Sequence, residues 1–379
     1  MHQTKATEWQ GTKEESVLYM AMDVGKSIKV AFSPTGLRPR MMDVPGKDWR
    51  QLLLEVEQAK VRFGLPTDCS VISCHEAGRG GFWLHRALEA HGVVSSLVDS
   101  SSIEVKRKKR RVKTDRLDAQ SLLRLLARHH LGEPDVWSIV RVPDLKAEDE
   151  RRLLRERRRL KKDETQHRNR IRGLLATKGL EAGSLKRAFE EFIHTARQWD
   201  GSTLLPSLSR ELLRQYQRLS LVWEQMREVD AEMESLVKGR KCEGDPISQK
   251  LYRLRGVGTV SSFGLSKEIF SWRVFRNGKQ LAGLVGLVPT PYISGDSQKE
   301  QGISKSGSGY LRSLMVELAW SWLRFQPDSG LSQWFWERFG HGNRRNRKVG
   351  IVALARKLLV ALWHWVEHDR LPEGAVLMK

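Results

Sequence analysis

Apolar and polar positions recur along the chain in distinct rhythms, and each rhythm predicts a type of element. VLYMAMDVGKSIKVAF predicts two strands joined by a tight turn at Val24–Lys26, the first apolar enough for a central strand. CSVISCHEA and VVSSLVD predict two more strands. Helical spacing marks residues 47–62, GFWLHRALEAHG and the stretch from Thr114 to His130, with Thr114 as N-cap. These elements predict an N-terminal α/β domain with a mixed sheet.

The middle of the chain is predicted to be helical and charged, with long helices over residues 146–176 and 209–239. The second helix repeats apolar residues every seven positions, which indicates a coiled coil; a long helix packed within its own domain is the alternative. The repeat consists of Leu212, Leu219, Met226 and Met233, with Val222, Val229 and Leu236 at the other seam position. We expect an antiparallel hairpin, formed within one subunit or across a dimer.

A third region begins near Ser248 and is predicted to be mostly helical. It contains a turn at Gly256-Val257-Gly258, a segment rich in Ser, Gly and Lys, and basic, Trp-rich helices. We therefore divide the chain into a flexible N-terminus (1–15), an α/β domain (16–140), a coiled-coil helical region (141–245) and a mostly α C-terminal domain (246–379).

Charge narrows the class of partner. The 379 residues are 40% apolar, enough for proper cores, yet the formal net charge is +21. Such a surplus repels itself in a compact fold, so it indicates a polyanion, either nucleic acid or an acidic membrane. No run of about 18 apolar residues is evident, and the first residues lack a signal-peptide pattern. We expect nucleic acid in the cytoplasm, no membrane, and three reduced cysteines.

Four acidic residues are candidates for metal chemistry. Asp115 and Asp118 are three apart at the start of a predicted helix, so both carboxylates lie on one helical face. Asp23 and Glu76 each end a predicted strand. If these elements pack together, the oxygen ligands suit Mg²⁺ or Mn²⁺, which assists phosphodiester chemistry. The alternative is an ordinary helix-start charge at Asp115 and an ion pair between Asp118 and a nearby arginine.

Basic runs favour binding to a phosphate backbone, because they recur and leave the charge unbalanced, although such runs are often only solvated surface. One run directly precedes Asp115; its basic residues are Lys106, Arg107, Lys108, Lys109, Arg110, Arg111 and Lys113. Another, HRNRIRG, contains Arg168, Arg170 and Arg172, and a third is HGNRRNRK at 341–348.

The segment PYISGDSQKEQGISKSGSGYLR carries five serines, which ordinarily cap helices or form turns. A nucleophilic serine would need activation and a phosphate clamp, and Lys299, Lys305 and Arg312 are candidates for the clamp. Chemistry alone does not choose among these roles.

The motifs together resemble a known family. MDVGK, CHEAGRGGFWLHRAL and VDSSSIEVKRKKRRVKTDRLDA contain the four acids; HRNRIRGLLATKGL, LRGVGTV and LVGLVPTPYISGDSQKEQGISKSGSGYLRSL follow in the same order. Over residues 17–325 the chain resembles the DEDD-type serine transposases of bacterial insertion sequences, the bridge-RNA-guided recombinases. KTDRLDA after a basic run, and Pro-x-x-x-Ser-Gly followed by Ile-Ser-Lys, are the most specific of these motifs.

The resemblance implies an RNase H-like, RuvC-like α/β domain whose acidic quartet is Asp23, Glu76, Asp115 and Asp118. It also implies a C-terminal transposase domain in which Ser294 attacks a DNA phosphate, forming a phosphoserine bond that a 3′-hydroxyl later resolves. The implied partners are donor and target DNA, a non-coding bridge RNA, and further copies of the chain, as a homodimer that assembles into a homotetramer.

Two segments depart from the family pattern. Arg255 stands where the family often has proline, and Ser306 and Ser308 stand where it often has arginine and asparagine or aspartate. Because serines are added nearby, Ser297 and Ser304 stay open as the nucleophile. Two other functions fit the same residues: a Holliday-junction-type nuclease that uses water as nucleophile, and a non-catalytic nucleic-acid-binding protein.

Overall fold

The computed structural model describes residues 16–78, 80–103, 115–134, 136–185, 188–239, 244–294 and 297–378. The side chains of residues 101, 115–117, 291–294 and 297–301 lie outside this description, as do the predicted flexible N-terminus and the predicted cap Thr114. The chain forms two compact units, Met1–Val142 (unit 1) and Pro143–Lys379 (unit 2).

Unit 1 is built on a mixed sheet, as predicted. In its described part the strands are β1 (Val17–Val24), β2 (Ile28–Ser33), β3 (Arg40–Val44), β4 (Ser70–Glu76) and β5 (Val93–Val98), in the order β3-β2-β1-β4-β5. β2 is antiparallel to both of its neighbours, β1 and β3. β4 is parallel to both of its neighbours, β1 and β5.

Helices cover both faces of this sheet. α1 (Trp49–Arg62) and α2 (Gly81–Glu89) pack on the face that carries Leu18, Met20 and Met22 of β1. α3 (Asp115–His130) packs on the other face. β1 is therefore buried on both sides, which explains why its sequence is a continuous apolar run instead of an alternating one.

Strand β3 is the element of unit 1 that the sequence did not predict. It pairs only with β2, at the edge of the sheet, and only Val44 in it is buried. An edge strand with one buried residue has almost no apolar alternation, so nothing in RMMDV marks it as a strand.

Unit 2 begins with a long helical hairpin. Its described helices are α4 (Leu145–Glu150), α5 (Arg152–Ala176), α6 (Phe189–Thr195) and α7 (Pro206–Lys238). α5 and α7 run antiparallel, because Arg157 near the start of α5 bonds Asp230 near the end of α7, and Arg170 bonds Glu211. The predicted first helix is divided in two at Arg151.

The heptad positions of α7 are used inside this hairpin. Leu212 and Leu219 pack with Ile171 and Leu175 of α5, and Val222, Val229 and Met233 pack with Leu154 and Leu160. The apolar repeat therefore packs against α5 of the same chain. This is the form of the predicted hairpin that lies within one subunit.

The rest of unit 2 is mostly helical and surrounds one large core. Its described elements are α8 (Pro246–Tyr252), α9 (Thr259–Leu265), a π-helical turn (Ser266–Phe270), α10 (Gly278–Val285), β6 (Pro289–Ser294), β7 (Ser297–Ile303), α11 (Gly309–Phe325), α12 (Gly330–Phe339) and α13 (Arg344–His368). Trp322, Phe335, Leu354 and Leu358 are among the fully buried side chains of this core. The β6–β7 hairpin was not predicted.

Helix α13 is long and apolar enough, by length and composition alone, to cross a membrane, although we expected no such helix from the sequence. Arg356 and Lys357 interrupt its apolar stretch, which is why no continuous run was seen. Of its most apolar 18-residue window, 44% is buried inside the fold, where Leu354, Leu358 and Leu362 belong to the core. A core helix with these properties meets the same test.

Candidate functional site

Asp23 and Glu76 lie at the carboxyl ends of neighbouring parallel strands. In the register of β1 with β4, Met22 is opposite His75, and Asp23 and Glu76 are the next residues of the two strands. Asp23 is half-buried and is also opposite Lys29 of β2, whereas Glu76 is exposed. The two predicted strand-end acids are therefore brought side by side at one edge of the sheet.

Both acids belong to the face of the sheet that α3 covers. Tyr19 and Ala21 of β1 and Cys74 of β4 pack against α3. Successive residues of a strand alternate between faces, so Asp23 and Glu76, each two residues beyond one of these, point to that same side.

The direction of α3 brings its first turn to the same edge. His130, at its end, bonds the Tyr19 hydroxyl through Nδ1 at 2.8 Å, and the Leu122 carbonyl is 3.9 Å from the Cys74 thiol. α3 therefore runs antiparallel to β1 and β4. Asp118 is one turn before Leu122, about 6 Å along the helix, and Glu76 is a similar distance, about 7 Å, beyond Cys74.

Asp118 is thus level with the two strand ends, and its side chain is half-buried. Asp115, one turn earlier, is in α3, but its side chain lies outside the described residues. Among the side chains that the structure describes, no three His, Cys, Asp or Glu groups are close enough together to hold a metal ion. The four-carboxylate metal site stays a prediction.

A small cavity of about 230 Å³ adjoins Asp23; it is lined by Asp23, Gly25, Lys26, Ser27 and Lys29. Lys26 is exposed at the turn between β1 and β2. Two cationic side chains, Lys26 and Lys29, therefore lie beside the first acid.

The arginines predicted to bind phosphate on α5 have partners inside unit 2. Arg168 bonds Glu164 at 3.3 Å and Arg170 bonds Glu211 at 3.1 Å, while Arg172 is exposed. The two glutamates were not predicted as partners. For Glu211, the signal was the predicted antiparallel pairing of the two long helices, which brings it to Arg170. The basic run at 106–113, with its seven predicted contacts Lys106, Arg107, Lys108, Lys109, Arg110, Arg111 and Lys113, lies outside the described residues.

The proposed nucleophile, Ser294, is the last residue of β6. By backbone register it is opposite Ser297, the first residue of β7, so both lie at the tip of a two-stranded hairpin. Lys299 is opposite Tyr292 further down the hairpin. The structure therefore places Ser294 at a hairpin tip and not at a helix cap. The side chains of this tip lie outside the described residues.

The base of the β6–β7 hairpin is held by close backbone packing. Gly286 has a φ of +72°, and a Cβ there would lie 2.0 Å from the Ser306 carbonyl oxygen. Gly307 has a φ of +86°, and its Cβ would lie 2.4 Å from the Leu284 oxygen. Only glycine fits either position. These two residues were missed from the sequence, since the contact joins segments about twenty residues apart in the chain.

The remaining predicted clamp residues have different surroundings. Arg312 is half-buried and donates through Nη1 to the carbonyls of Val285 (3.3 Å) and Lys305 (3.1 Å), so it fixes the hairpin base. Lys305 itself is exposed. Ser308 caps α11 by accepting from the Leu311 amide, the ordinary role considered for these serines.

Glycine-rich backbone also forms the turn between α8 and α9. Gly256 has a φ of +90°, its carbonyl accepts a hydrogen bond from Ser321 at 2.7 Å, and Val257 is buried. The predicted turn between helices is confirmed.

Unit 1 thus has two acids side by side at one edge of a mixed sheet, and unit 2 is mostly helical. Comparison with known proteins gives the family. Residues 248–332 match the profile described as "Transposase IS116/IS110/IS902 family". The chain is 39% identical over 316 residues to the putative transposase y4rJ of Sinorhizobium fredii, covering 81% of this chain and 79% of that protein.

It is also 27% identical over 300 residues to the transposase for insertion sequence element IS1111A of Coxiella burnetii, covering 79% and 78% of the two chains. A probable family 20 transposase of Pseudomonas aeruginosa is 30% identical over 210 residues, covering 55% and 60%. The chain therefore belongs to the IS116/IS110/IS902 family of transposases. Its reaction is DNA transposition, and the resemblance seen in the motifs is confirmed at the level of the family.

Proposed function

We propose that this transposase is guided by RNA and cuts and rejoins DNA through a phosphoserine intermediate at Ser294, assisted by Mg²⁺ or Mn²⁺ at Asp23, Glu76, Asp115 and Asp118. The observation that carries the proposal is the arrangement of unit 1: Asp23 and Glu76 are side by side on the face under α3, level with Asp118. Carboxylates gathered at one edge repel one another unless a cation lies between them.

Unit 1 is proposed to be RNase H-like and RuvC-like. Its support is the strand order β3-β2-β1-β4-β5, with an antiparallel meander followed by two parallel strands and helices on both faces. The open carboxyl edge of β1 and β4 carries the acids, which is where ligands bind in sheets with parallel strands.

The donor set fits a hard divalent cation, because carboxylate oxygens are the ligands that Mg²⁺ and Mn²⁺ prefer. Asp23, Glu76, Asp115 and Asp118 are proposed to hold the ion. Bound there, it would neutralise charge on a phosphate and on a developing oxyanion. Lys26 and Lys29 beside Asp23 would attract the DNA phosphate to the same edge.

Ser294 would supply the nucleophile. Its Oγ loses a proton and forms a bond to phosphorus, while the bond from phosphorus to the DNA 3′-oxygen breaks and that oxygen takes up a proton. In the second step the 3′-hydroxyl of the other DNA strand loses its proton and bonds to the same phosphorus, while the bond from phosphorus to the Ser294 Oγ breaks and that oxygen takes up a proton. No external energy source is required, since one phosphodiester replaces another.

Nucleic acid is proposed to bind along the basic segments. Donor DNA, target DNA and the bridge RNA would contact the seven basic residues of 106–113, Arg168, Arg170, Arg172, Lys299, Lys305 and Arg312. The net charge of +21 supports the binding of a large polyanionic ligand. Copies of the chain would join through the α5–α7 hairpin into dimers and tetramers, in the cytoplasm of a bacterium.

The nucleophile is tested by trapping the covalent adduct. Purified protein, with its copurifying RNA, Mg²⁺ and DNA carrying the element's ends, is denatured and resolved by gel. We expect a protein–DNA adduct with the wild type and none with Ser294→Ala. Ser297→Ala and Ser304→Ala should keep the adduct, and peptide mapping should place it on Ser294. An adduct that survives Ser294→Ala on another serine would overturn the assignment.

The same assay separates the other two functions. Cutting that survives Ser294→Ala but stops with Asp23→Asn would indicate a nuclease that uses water. DNA binding without cutting by any variant or by the wild type would indicate a non-catalytic protein. For RNA guidance, sequencing of the copurified RNA should give one discrete species whose loops pair with both DNA partners; recovery of random fragments would contradict guidance.

A further inference from the structure

Helices α12 and α13 form a compact pair; α12 begins inside the family-matched segment 248–332, and α13 lies wholly beyond it. α12 ends at Phe339, a four-residue turn spans 340–343, and α13 begins at Arg344. Asn343 caps α13 by accepting from the Asn346 amide at 2.9 Å. Gly350 packs so closely on the Phe339 ring that a Cβ would lie 2.5 Å from it. The turn is therefore fixed, and the start of α13 has a defined direction.

The first residues of α13 are uncovered on every side. Residues 343–349 are all exposed, and burial in α13 starts at Gly350 and Ile351. Each helical residue turns about 100°, so six consecutive exposed residues cover all directions around the axis. This segment, Arg344–Val349, contacts the turn that precedes it, and each of its six side chains is exposed.

The segment is strongly cationic. Arg344, Arg345, Arg347 and Lys348 are four of its six residues, and it contains no acid. Arg347 donates to the Gly340 carbonyl at 2.9 Å and so braces the turn. None of the four forms an ion pair within the residues that the structure describes. Four neighbouring positive charges repel one another until a polyanion is bound.

We propose that Arg344–Val349 enters the major groove of duplex DNA, with α13 as the recognition helix of a helix–turn–helix pair. A helix with its side chains is about 10–12 Å across, which suits the major groove of B-form DNA, about 12 Å wide. The major groove of duplex RNA is deep and too narrow for a helix, so DNA is the favoured occupant.

The residue types suit readout of bases as well as phosphates. Arginine pairs with guanine, asparagine with adenine, and an exposed apolar side chain such as Val349 packs on the thymine methyl group. The end of α12 is exposed at Trp336 and Arg338 and would meet the DNA backbone, as the first helix of such a pair does. The protein would thus recognise duplex DNA directly, in addition to any pairing by RNA.

The inference rests on the proposed function only for DNA as the substrate, and it does not require Ser294, metal or RNA. The test therefore measures binding of the RNA-free full chain by fluorescence anisotropy, with a mixed-sequence DNA duplex of about 20 base pairs and an RNA duplex of the same sequence. The variant is Arg344→Gln/Arg345→Gln/Lys348→Gln, which keeps the bracing Arg347. The control, Arg214→Gln/Arg218→Gln/Arg227→Gln, removes the same charge from exposed positions of α7.

We expect the variant to weaken DNA binding about tenfold or more and to lower the salt dependence of log K by about 0.9 for each lost phosphate contact. The control should change DNA binding less than about twofold, and RNA binding by the variant should change little. Methyl green, which occupies the major groove, should compete with the wild type. Both variants should melt within about 2 °C of the wild type, because all six residues are exposed.

An equal loss of affinity in variant and control would overturn the proposal, since net charge alone would then explain binding. An equal loss for DNA and RNA duplexes would also overturn it, because a helix that enters a groove distinguishes the two. If the variant loses DNA binding but still forms the Ser294 adduct, the proposal is supported. If the serine chemistry itself fails, the binding result is unaffected, so the two proposals fail separately.

Discussion

Glu164 lies on α5 with 6% of its side chain exposed, and three donors reach its carboxylate. Lys161 donates at 2.7 Å, Trp223 of α7 at 3.2 Å and Arg168 at 3.3 Å. Burial pushes the pKa of Glu164 up, but the hydrogen bonds from Lys161 and Trp223 and the nearby positive charges outweigh it, so the pKa is held below its ordinary value. The ionised carboxylate therefore stabilises the α5–α7 hairpin.

Replacing Glu164 by Gln should lower the free energy of unfolding at pH 7 by about 1–3 kcal/mol, because charge-assisted hydrogen bonds are lost. A carboxylate whose pKa is lowered by folding contributes stability above its unfolded pKa, and that contribution is lost as the pH falls through the folded pKa. The difference between variant and wild type should therefore shrink below pH 4.5. Urea unfolding at several pH values measures it; Glu156→Gln, an exposed position of α5, should match the wild type throughout.

Gly286 and Gly283 offer a matched pair at the base of the Ser294 hairpin. Gly286→Ala would place a methyl group 2.0 Å from the Ser306 oxygen at a φ of +72°, whereas a Cβ at Gly283 meets nothing within 4 Å. We expect Gly286→Ala to cost about 2 kcal/mol or more of stability and to abolish adduct formation by displacing the hairpin. Gly283→Ala should keep both, and normal activity of Gly286→Ala would contradict the packing role.

At this scale the sequence suggested candidate site residues, whose roles stay predictions, and gave little about their surroundings. Asp23, Glu76 and Asp118 were chosen by motif and strand ends, and alternation along β1 and β4 was sufficient to put two of them on one face. Glu164, the partner of Arg168, is four residues earlier on the same helix and was predictable from that spacing, whereas the partner of Arg170 was not. Glu211 reaches Arg170 from a helix about forty residues away, and such pairing is decided by tertiary packing.

At the scale of elements, strong periodicity was a reliable guide and weak periodicity was not. α7 was predicted because its buried side recurs every seven residues over the whole helix. β6 and β7 were missed because Ser, Gly and Lys interrupt any alternation, and the hairpin depends on contacts of its base with the end of α10 and residues 304–307. The sheet of unit 1 was predicted in outline, without its edge strand.

The seam of α7 gives a prediction about the hairpin as an element. Leu219 is fully buried, whereas Leu221, two residues on, is 53% exposed. Leu219→Ala should lower the free energy of unfolding by about 2–5 kcal/mol, because it removes packing and leaves a cavity. Leu221→Ala should change it little. Urea unfolding compares the stability of the two variants. Light scattering of both shows whether assembly depends on the exposed side of α7. Equal effects of the two substitutions on stability would contradict packing of Leu219 against α5.

For the whole molecule, unit 1 and unit 2 have separate cores, with buried clusters that do not share residues. A fragment spanning 143–379 should therefore fold alone, with a cooperative thermal transition and the helical circular dichroism expected of α4–α13. A fragment starting at residue 219 removes α5 and half of α7 and should not fold cooperatively. Failure of the longer fragment to fold would contradict the division into units.

Helix α13 passes from solvent into the core at Gly350, and this affects how the sequence of the protein can diverge. Residues after that point contribute to the core and tolerate few replacements, but the side chains of Arg344–Val349 are all exposed, and Arg347 is the one that braces the preceding turn. Replacements there leave stability almost unchanged. Under the proposed recognition of DNA by this segment, copies of the element that enter a new host would acquire new DNA preferences by single substitutions at its exposed positions other than Arg347, without passing through unstable intermediates.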